Sequence, residues 1–447
     1  MKNIQPPEIV TLPVGNKFGK ENEAVFIAYV PRTGNARLMT SDLLNELHKA
    51  AADAPDTSPE MRRAVADLRQ MPADYPVPLV NDDPGKLRNL VIIPNFTCNF
   101  RCSYCYAAEG KENKYLPENK LLSALDFFLT PERANGRKLR LTFLGGGEPL
   151  LAASLIEKGC EYAAEKSRKL NIRTGYSLVT NGSLITPEVA GMIKKYQIQC
   201  AVSFEILEDV QNAQRDQYEN VVKGIRTLIS AGIIPVFRSI ITDLNISRMT
   251  EMVQRAAADF PEVRELNFEI ATMPEKFADH NSMLKMLGLF CTNFRSARRE
   301  AQKTGIHLAN SLFDCVQSLQ ERFCPGEFVL TPDGDITCCH RVTHPSEKYF
   351  DDFRYGSFND NGTLRIDTPK GKQLLSQGIN VFQTCQTCPA RLNCGGFCLI
   401  KRLVYTPEAM TAVCETIRSL LTDHLFETIE KNTREMGFDV FEFFNSK

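Results

Sequence analysis

Between about residues 88 and 271 the chain repeats one rhythm, a strand-length apolar run followed by an amphipathic helical stretch, and few folds accommodate it. Strands are expected at 89–96, 138–144, 175–180, 200–206, 235–242 and 265–271. Helices are expected between them at 120–129, 155–169, 187–196, 218–231 and 246–257. In the fourth helix Val221, Val222, Ile225, Leu228 and Ile229 share a face, and Gly232 follows as a stop. Thr186-Pro187 gives the third a cap and a first-turn proline. Strands separated by helices join as parallel neighbours, so the pattern predicts a parallel sheet, curled or closed, that works at its strand C-termini.

The flanks differ. In the first eighty residues, 24–30 and 36–39 read as a hairpin around a turn at 31–35. Ser41 is expected to cap a helix to about Ala51 with Leu43, Leu44 and Leu47 on one face, and Ser58-Pro59-Glu60 starts another. Residues 72–84, rich in Pro and Asp, read as a linker. Beyond about 310 the segments are short and broken by Gly, Pro and Cys, and metal ligation is a physical substitute for the core they lack. The expected class is α/β: a partial (β/α)6 TIM-type barrel over 81–310, a small α+β, winged-helix-like unit over 1–80, a Cys-rich domain over 311–425 and a tail over 426–447.

A net charge of −1 leaves no global field to recruit nucleic acid or an anionic membrane. Neither a signal-peptide core nor an eighteen-residue apolar run is present, so a cytoplasmic protein is expected. In that reducing compartment 15 cysteines point to metal binding or catalysis, and an odd number suits a disulfide framework poorly.

Directly after the first strand stands Cys98-x3-Cys102-x2-Cys105, which lets one loop wrap three thiolates around a compact cluster. Iron–sulfur cubanes usually take four cysteines, so three leave one iron open to chelate and reduce a small molecule. A zinc site completed from elsewhere and plain buried thiols are the alternatives. Leu144-Gly145-Gly146-Gly147-Glu148-Pro149 ends the second strand, where glycine permits close approach to a ligand and Glu148 suits an ammonium group. Thr180-Asn181 closes the third strand, and Ser203 and Arg215 follow in the fourth unit. Further on, Cys324 and Cys339 are followed by Cys385-x2-Cys388-x5-Cys394-x3-Cys398 and then Cys414, which by itself fits a zinc knuckle or a ferredoxin-like site. Cys160, Cys200 and Cys291 fall inside expected helices and strands and read as core thiols.

The CxxxCxxC loop, with the aromatic Tyr104 before its last cysteine, resembles the radical S-adenosylmethionine superfamily, and the likeness covers roughly 88–425. It implies a 4Fe–4S cluster on Cys98, Cys102 and Cys105, with S-adenosylmethionine chelating the free iron and yielding a 5′-deoxyadenosyl radical. By the same resemblance Gly146, Gly147, Glu148 and Pro149 form the motif that meets the cofactor's amino group. Thr180 and Asn181 match many relatives, and Ser203 and Arg215 match residues that hold its ribose and carboxylate. Ser203-Phe204-Glu205 departs from the usual Ser-x-Asp-Gly.

The C-terminal cysteines resemble the SPASM extension, which carries two auxiliary 4Fe–4S clusters. The likeness implies an outer one on Cys385, Cys388, Cys394 and Cys414 and an inner one on Cys324, Cys339 and Cys398. Relatives often have another cysteine soon after the position of Cys324, so Cys315 or Cys338 is expected as the fourth inner ligand, or the iron is open. Cys315 is preferred, because adjacent residues of a strand point to opposite sides. His340 stands where sulfatase-maturing relatives have an Asp. It suits a catalytic base or a partner of the cluster, and the missing Asp counts against formylglycine formation.

The resemblance implies a maturase that crosslinks, through thioether or carbon–carbon bonds, or oxidises a ribosomally made precursor peptide. The leader would bind the N-terminal unit by strand addition, and flavodoxin or ferredoxin would donate electrons. Radical chemistry on a small molecule is the alternative, and neither nucleic acid nor membrane is expected as partner.

Overall fold

The computed structural model describes residues 9–19, 25–71, 83–108, 110–359, 362–379 and 381–445. Most of the expected linker, 72–82, lies outside the described residues.

The N-terminal unit holds three antiparallel strands, β1 (Val10–Pro13), β2 (Val25–Tyr29) and β3 (Ala36–Thr40), in the order β1-β2-β3. Its helices are Ser41–Ala51 and Pro59–Arg69. β1 was not expected, being only four residues long and split from β2 by a 3-10 turn at Gly15–Phe18. Thr40, not Ser41, caps the first helix by accepting from Leu43 N–H, which places Ser41 inside it. Leu44 and Leu47 are buried as expected, whereas Leu43 is exposed. One sheet face, with Ala28, Val30 and Met39, packs on Leu44, Leu47, Met61, Val65 and Leu68. The other, with Leu12, Val25, Ile27 and Tyr29, merges with the main core, so this sheet is covered on both sides.

The main body is one eleven-stranded sheet. Its parallel part comprises β4 (Asn89–Ile92), β5 (Leu139–Phe143), β6 (Thr174–Thr180), β7 (Gln199–Ser203), β8 (Val236–Ile241), β9 (Glu265–Ile270) and β10 (His307–Ala309). These run as β10-β9-β8-β7-β6-β5-β4 with helices between them. The first six match the expected strands, mostly with trimmed ends, though β6 and β7 begin one residue earlier, and three-residue β10 is too short to show a period. Strands buried on both faces read as continuous apolar runs, as in Leu90, Val91 and Ile92, each at most 1% exposed. Thr186 caps the helix Pro187–Lys195 at Val189 N–H with Pro187 in its first turn, as its sequence requires.

The Cys-rich region continues this sheet. β11 (Phe328–Leu330) lies parallel to β4, and β12 (Asp335–Thr337), β13 (Arg354–Phe358) and β14 (Leu364–Ile366) follow antiparallel. Two long helices, His280–Lys303 and Pro407–Glu435, pack together behind the sheet. The second crosses the position expected to separate the Cys-rich domain from a tail. It escaped periodicity because its apolar residues spread around the axis to meet several neighbours at once. Phe18 sits within 5.3–5.6 Å, ring to ring, of Phe426, Phe441 and Phe444, tying both ends of the chain into one cluster. Among the described residues no helix is long and apolar enough to cross a membrane.

Phe18→Ala should remove about 3–5 kcal/mol of packing. Hydrogen exchange should then quicken both in β2–β3 and in 407–445, and a change confined to the N-terminal strands would contradict the shared cluster.

Candidate active site

The three motif cysteines lie on the loop leaving β4, and that loop is fastened to the turn leaving β5. Gly147 N–H donates to Asn95 O at 2.9 Å, Glu148 N–H to Thr97 O at 2.8 Å, and Asn95 Nδ2 returns a bond to Glu148 O at 2.9 Å. A Cβ on Gly147 would lie 1.7 Å from Thr97 O, so only glycine lets the two loops touch. Farther along, Asn181 Nδ2 donates to Asn99 Oδ1 at 2.8 Å, Ser103 N–H to Gln214 O at 2.9 Å, and Lys111 Nζ to Phe100 O at 3.1 Å. The loop therefore touches the ends of three neighbouring units. Cys98, Cys102 and Cys105 line one cavity of ≈ 340 Å³ together with Gly146, Gly147, Glu148, Pro149, Thr180, Asn181, Ser203 and Arg215. The strand C-termini thus bring together every residue expected near the first cluster and its cofactor.

Glu148 is 2% exposed, and its carboxylate accepts from Leu150 N–H at 3.0 Å, Thr180 Oγ1 at 2.6 Å and Asn181 N–H at 2.7 Å. Burial raises its pKa against the pull of those bonds. A carboxylate has roughly four acceptor positions, so about one remains for a ligand. Glu205, where the sequence departs from its relatives, is fully buried and accepts from Tyr104 O–H and, at 3.0 Å, from Ile240 N–H. Arg215 donates to Tyr104 O–H at 2.7 Å and stands 3.8 Å from Glu205. Burial pushes Glu205 up to about 7, with Arg215, Tyr104 and Ile240 opposing. Sequence reasoning noted Glu205 only as a departure. Its reach to Tyr104, 101 residues away, is a tertiary fact.

The opposite wall comes from β8, β9 and the Cys-rich region: Arg238, Glu269, Thr272, His340, Arg341 and Lys401. Tyr106, 42% exposed, presents its ring to the same space. His340 Nδ1 lies 2.8 Å from Glu327 Oε2, and its backbone N–H donates to the same oxygen at 2.9 Å. Burial works to raise the Glu327 carboxyl, and His340 outweighs it and holds the carboxyl low. Apart from His340, neither Glu327 nor this wall had a local sequence signal.

Residues 92–256 match the family model described as the Radical SAM superfamily. They form a radical SAM domain. The chain is 28% identical over 275 residues to an uncharacterized protein of Methanocaldococcus jannaschii, covering 59% of this chain and 93% of that one. It is 24% identical over 212 residues to the radical SAM cyclopropyl synthase TigE of Paramaledivibacter caminithermalis, spanning 44% of each chain. A probable GTP 3′,8-cyclase of Saccharolobus islandicus is 29% identical over 155 residues, which is 34% of this chain and 46% of the cyclase. The chain thus spans less than half the length of those two relatives. Among solved structures, native anSMEcpe with bound AdoMet and Kp18Cys peptide superposes with a TM-score of 0.58 at 17% identity, over 76% of this chain and 98% of that one. That likeness shows a shared fold over about three quarters of the chain.

Beyond the radical SAM domain the remaining cysteines form two neighbourhoods. Cys385, Cys388, Cys414 and Cys315 each add to the raised pKa of Cys394, behind burial as the main cause. Cys324, Cys338 and Cys339 interact with Arg322, Cys338 and Cys324 both act on Cys339, and Cys398 acts on Cys324. Cys315 acts on Cys394, and its thiol donates to Leu312 O at 3.2 Å. The preference for Cys315 assumed a strand through 338–339. β12 stops at Thr337 after a register shift, so the adjacent cysteines escape strand alternation. None of the fifteen cysteines is paired in a disulfide, and Cys160, Cys200 and Cys291 are buried in the core. Among the described residues no three His, Cys, Asp or Glu side chains converge on one ion, and the first-loop thiols line an opening instead.

Burial is the main cause raising both Cys98 and Cys102, so in metal-free protein their alkylation should lag that of a free thiol near pH 8. Gly147→Ala, costing about 1–3 kcal/mol by overpacking, should speed it by releasing the loop. An unchanged rate would show that the turn does not hold the cysteines.

Proposed function

We propose that this chain is a peptide-modifying radical enzyme carrying three 4Fe–4S clusters. The observation that carries the reading is the single cavity in which three thiols, the glycine turn, Ser203 and Arg215 face His340 and the Cys-rich region. The residues fit the groups. The thiols stand free at the cavity wall, Gly147 leaves space that a Cβ would fill, and buried Arg215 Nε has no partner among the described residues. Cys98, Cys102 and Cys105 would hold the first cluster, leaving one iron for S-adenosylmethionine. Gly146, Gly147, Glu148 and Pro149, backed by Thr180 and Asn181, would hold the cofactor's amino end, Ser203 its ribose and Arg215 its carboxylate.

Cys385, Cys388, Cys394 and Cys414 would hold an outer auxiliary cluster. For the inner one we assign Cys338 in place of Cys315, with Cys324, Cys339 and Cys398. When bound, these groups supply a 5′-deoxyadenosyl radical for hydrogen abstraction and an acceptor for the electron that net oxidation releases.

His340, oriented through Nδ1 by Glu327, leaves Nε2 to take a proton from the substrate. Tyr106 offers an apolar face to the substrate chain, and Glu205 keeps Tyr104 and Arg215 in place. The peptide reading draws support from anSMEcpe, whose structure holds AdoMet and a peptide on the same fold. In the N-terminal unit neither β1 nor β3 pairs with a further strand among the described residues, which suits a leader added at an edge. The product would be a thioether or carbon–carbon crosslink or an oxidised residue, with flavodoxin or ferredoxin as reductant. A second reading, chemistry on a small molecule, is favoured by the similarity to a probable GTP 3′,8-cyclase.

After anaerobic reconstitution the native chain should bind about 12 irons, and the variant with Cys98, Cys102 and Cys105 changed to Ala about 8. Only the native chain should form 5′-deoxyadenosine from S-adenosylmethionine. About 4 irons with bound zinc in the native chain would make the C-terminal field structural and remove the electron acceptor. His340→Ala should slow peptide conversion by about 10²–10⁴ while substrate-free cofactor cleavage persists. Equal loss of both would give His340 a role in the clusters.

A further inference from the structure

The wall of the cavity opposite the cysteine loop carries three cations from three separate elements: Arg238 in β8, Arg341 after β12, and Lys401 in the helix Leu399–Val404. None of them forms an ion pair among the described residues. Arg341 is held by one bond, Nη1 to Thr272 Oγ1 at 3.1 Å, and by stacking 5.1 Å over the Tyr106 ring. Its Nε is buried with no partner among the described residues. Lys401 Nζ lies 5.7 Å from the Phe397 ring, and burial lowers its pKa, with Arg341 adding to the fall while Glu269 and Cys398 oppose it.

Glu269, the acid in this wall whose charge acts on Lys401, accepts from Ser311 N–H at 2.9 Å and Oγ at 2.7 Å and forms no ion pair with any of the three cations. Glu205 and Glu327 are likewise taken, by Tyr104 with Arg215 and by His340. Burial and the repulsion from Arg341 hold Lys401 low despite Glu269, and Arg341 keeps an unmatched donor, so a further anion joining the two would be favourable.

We propose that Arg238, Arg341 and Lys401 form a carboxylate-binding subsite that fixes an acidic group of the substrate opposite the radical source. This deepens the peptide reading and rests on it: the carboxylate belongs to an Asp or Glu near the modified residue or to the peptide's own C-terminus. Arg341 offers a planar fork, Lys401 a point charge, and Tyr106 an apolar platform between them and the cysteine loop. Arg215, engaged with Tyr104 beside Cys102, stays with the cofactor side.

The test is anaerobic calorimetric titration of the reconstituted enzyme with S-adenosylmethionine saturating, so that its own carboxylate is not the probe. The probes are acetyl-Gly-Gly-Asp-Gly-Gly amide against its Asn counterpart, acetyl-pentaglycine acid against its amide, and N-acetylaspartate against N-acetylasparagine. The native enzyme should prefer at least one carboxylate member about tenfold or more, as charge-assisted bonds in a partly desolvated site require. That preference should shrink to about twofold in Arg238→Met, Arg341→Met and Lys401→Met. Preference for the Asp peptide or for the free C-terminus supports the subsite and names the source of the group. Preference for N-acetylaspartate with no peptide binding keeps the subsite and overturns the peptide reading.

Equal binding of charged and neutral peptides overturns the subsite and leaves the peptide reading standing. The subsite also falls if Arg341→Met and Lys401→Met shift the reduction potentials of the C-terminal clusters without changing the carboxylate preference, because the cations would then serve the clusters.

Discussion

Two backbone hydrogen bonds, from Gly147 to Asn95 and from Glu148 to Thr97, hold the cysteine loop against the glycine turn, and the rest of the site is built on that contact. Both segments leave adjacent parallel strands at the same end, so a short path suffices to join them. Fastening a loop at both ends lowers the entropy cost of presenting three thiols to one cavity. Glu148 extends the same contact sideways. Its side chain joins the end of β6, and its backbone joins the loop from β4, so the ends of three strands are fixed relative to one another.

Buried charge is the second constraint. Glu205 is sealed inside the barrel, and it is tolerated because Tyr104, Ile240 and Arg215 surround it. A longer carboxylate than the family's usual Asp reaches the tyrosine that precedes Cys105, which links the departure at one motif to the aromatic residue of another. On the far wall Glu327 does the same for His340. The cations beside them form no ion pair among the described residues, and Arg341 keeps a buried donor without a partner, which is the imbalance the proposed carboxylate subsite rests on.

The Cys-rich region is fixed in place by the same sheet. β11 pairs with β4 in parallel register, Val329 opposite Val91, so the segment that follows it is carried over the mouth of the barrel. His340 and Arg341 enter the cavity by this route from the loop after β12, and Lys401 enters from a helix beyond Cys398. The long helix Pro407–Glu435 then returns the chain to the N-terminal sheet, where Phe18 closes the aromatic cluster. Cys394 and Cys414, twenty residues apart, are held near each other by this return.

The sequence by itself determined the six central strands, the helices between them, the cysteine loop and the residues at the strand ends. All of these are encoded over short spans, by periodicity, by capping residues and by spacing along one loop. Only the tertiary structure decided the partners of Glu205 and His340, the grouping of Cys338 with Cys324 and Cys339, and the meeting of Arg238, Arg341 and Lys401. β10 and the helix Pro407–Glu435 were hidden for related reasons, one too short to show a period and the other apolar on several sides at once. Glu205 and Tyr104, like the three cations, come from distant parts of the chain, and no local pattern records a contact whose geometry depends on how the whole sheet curls.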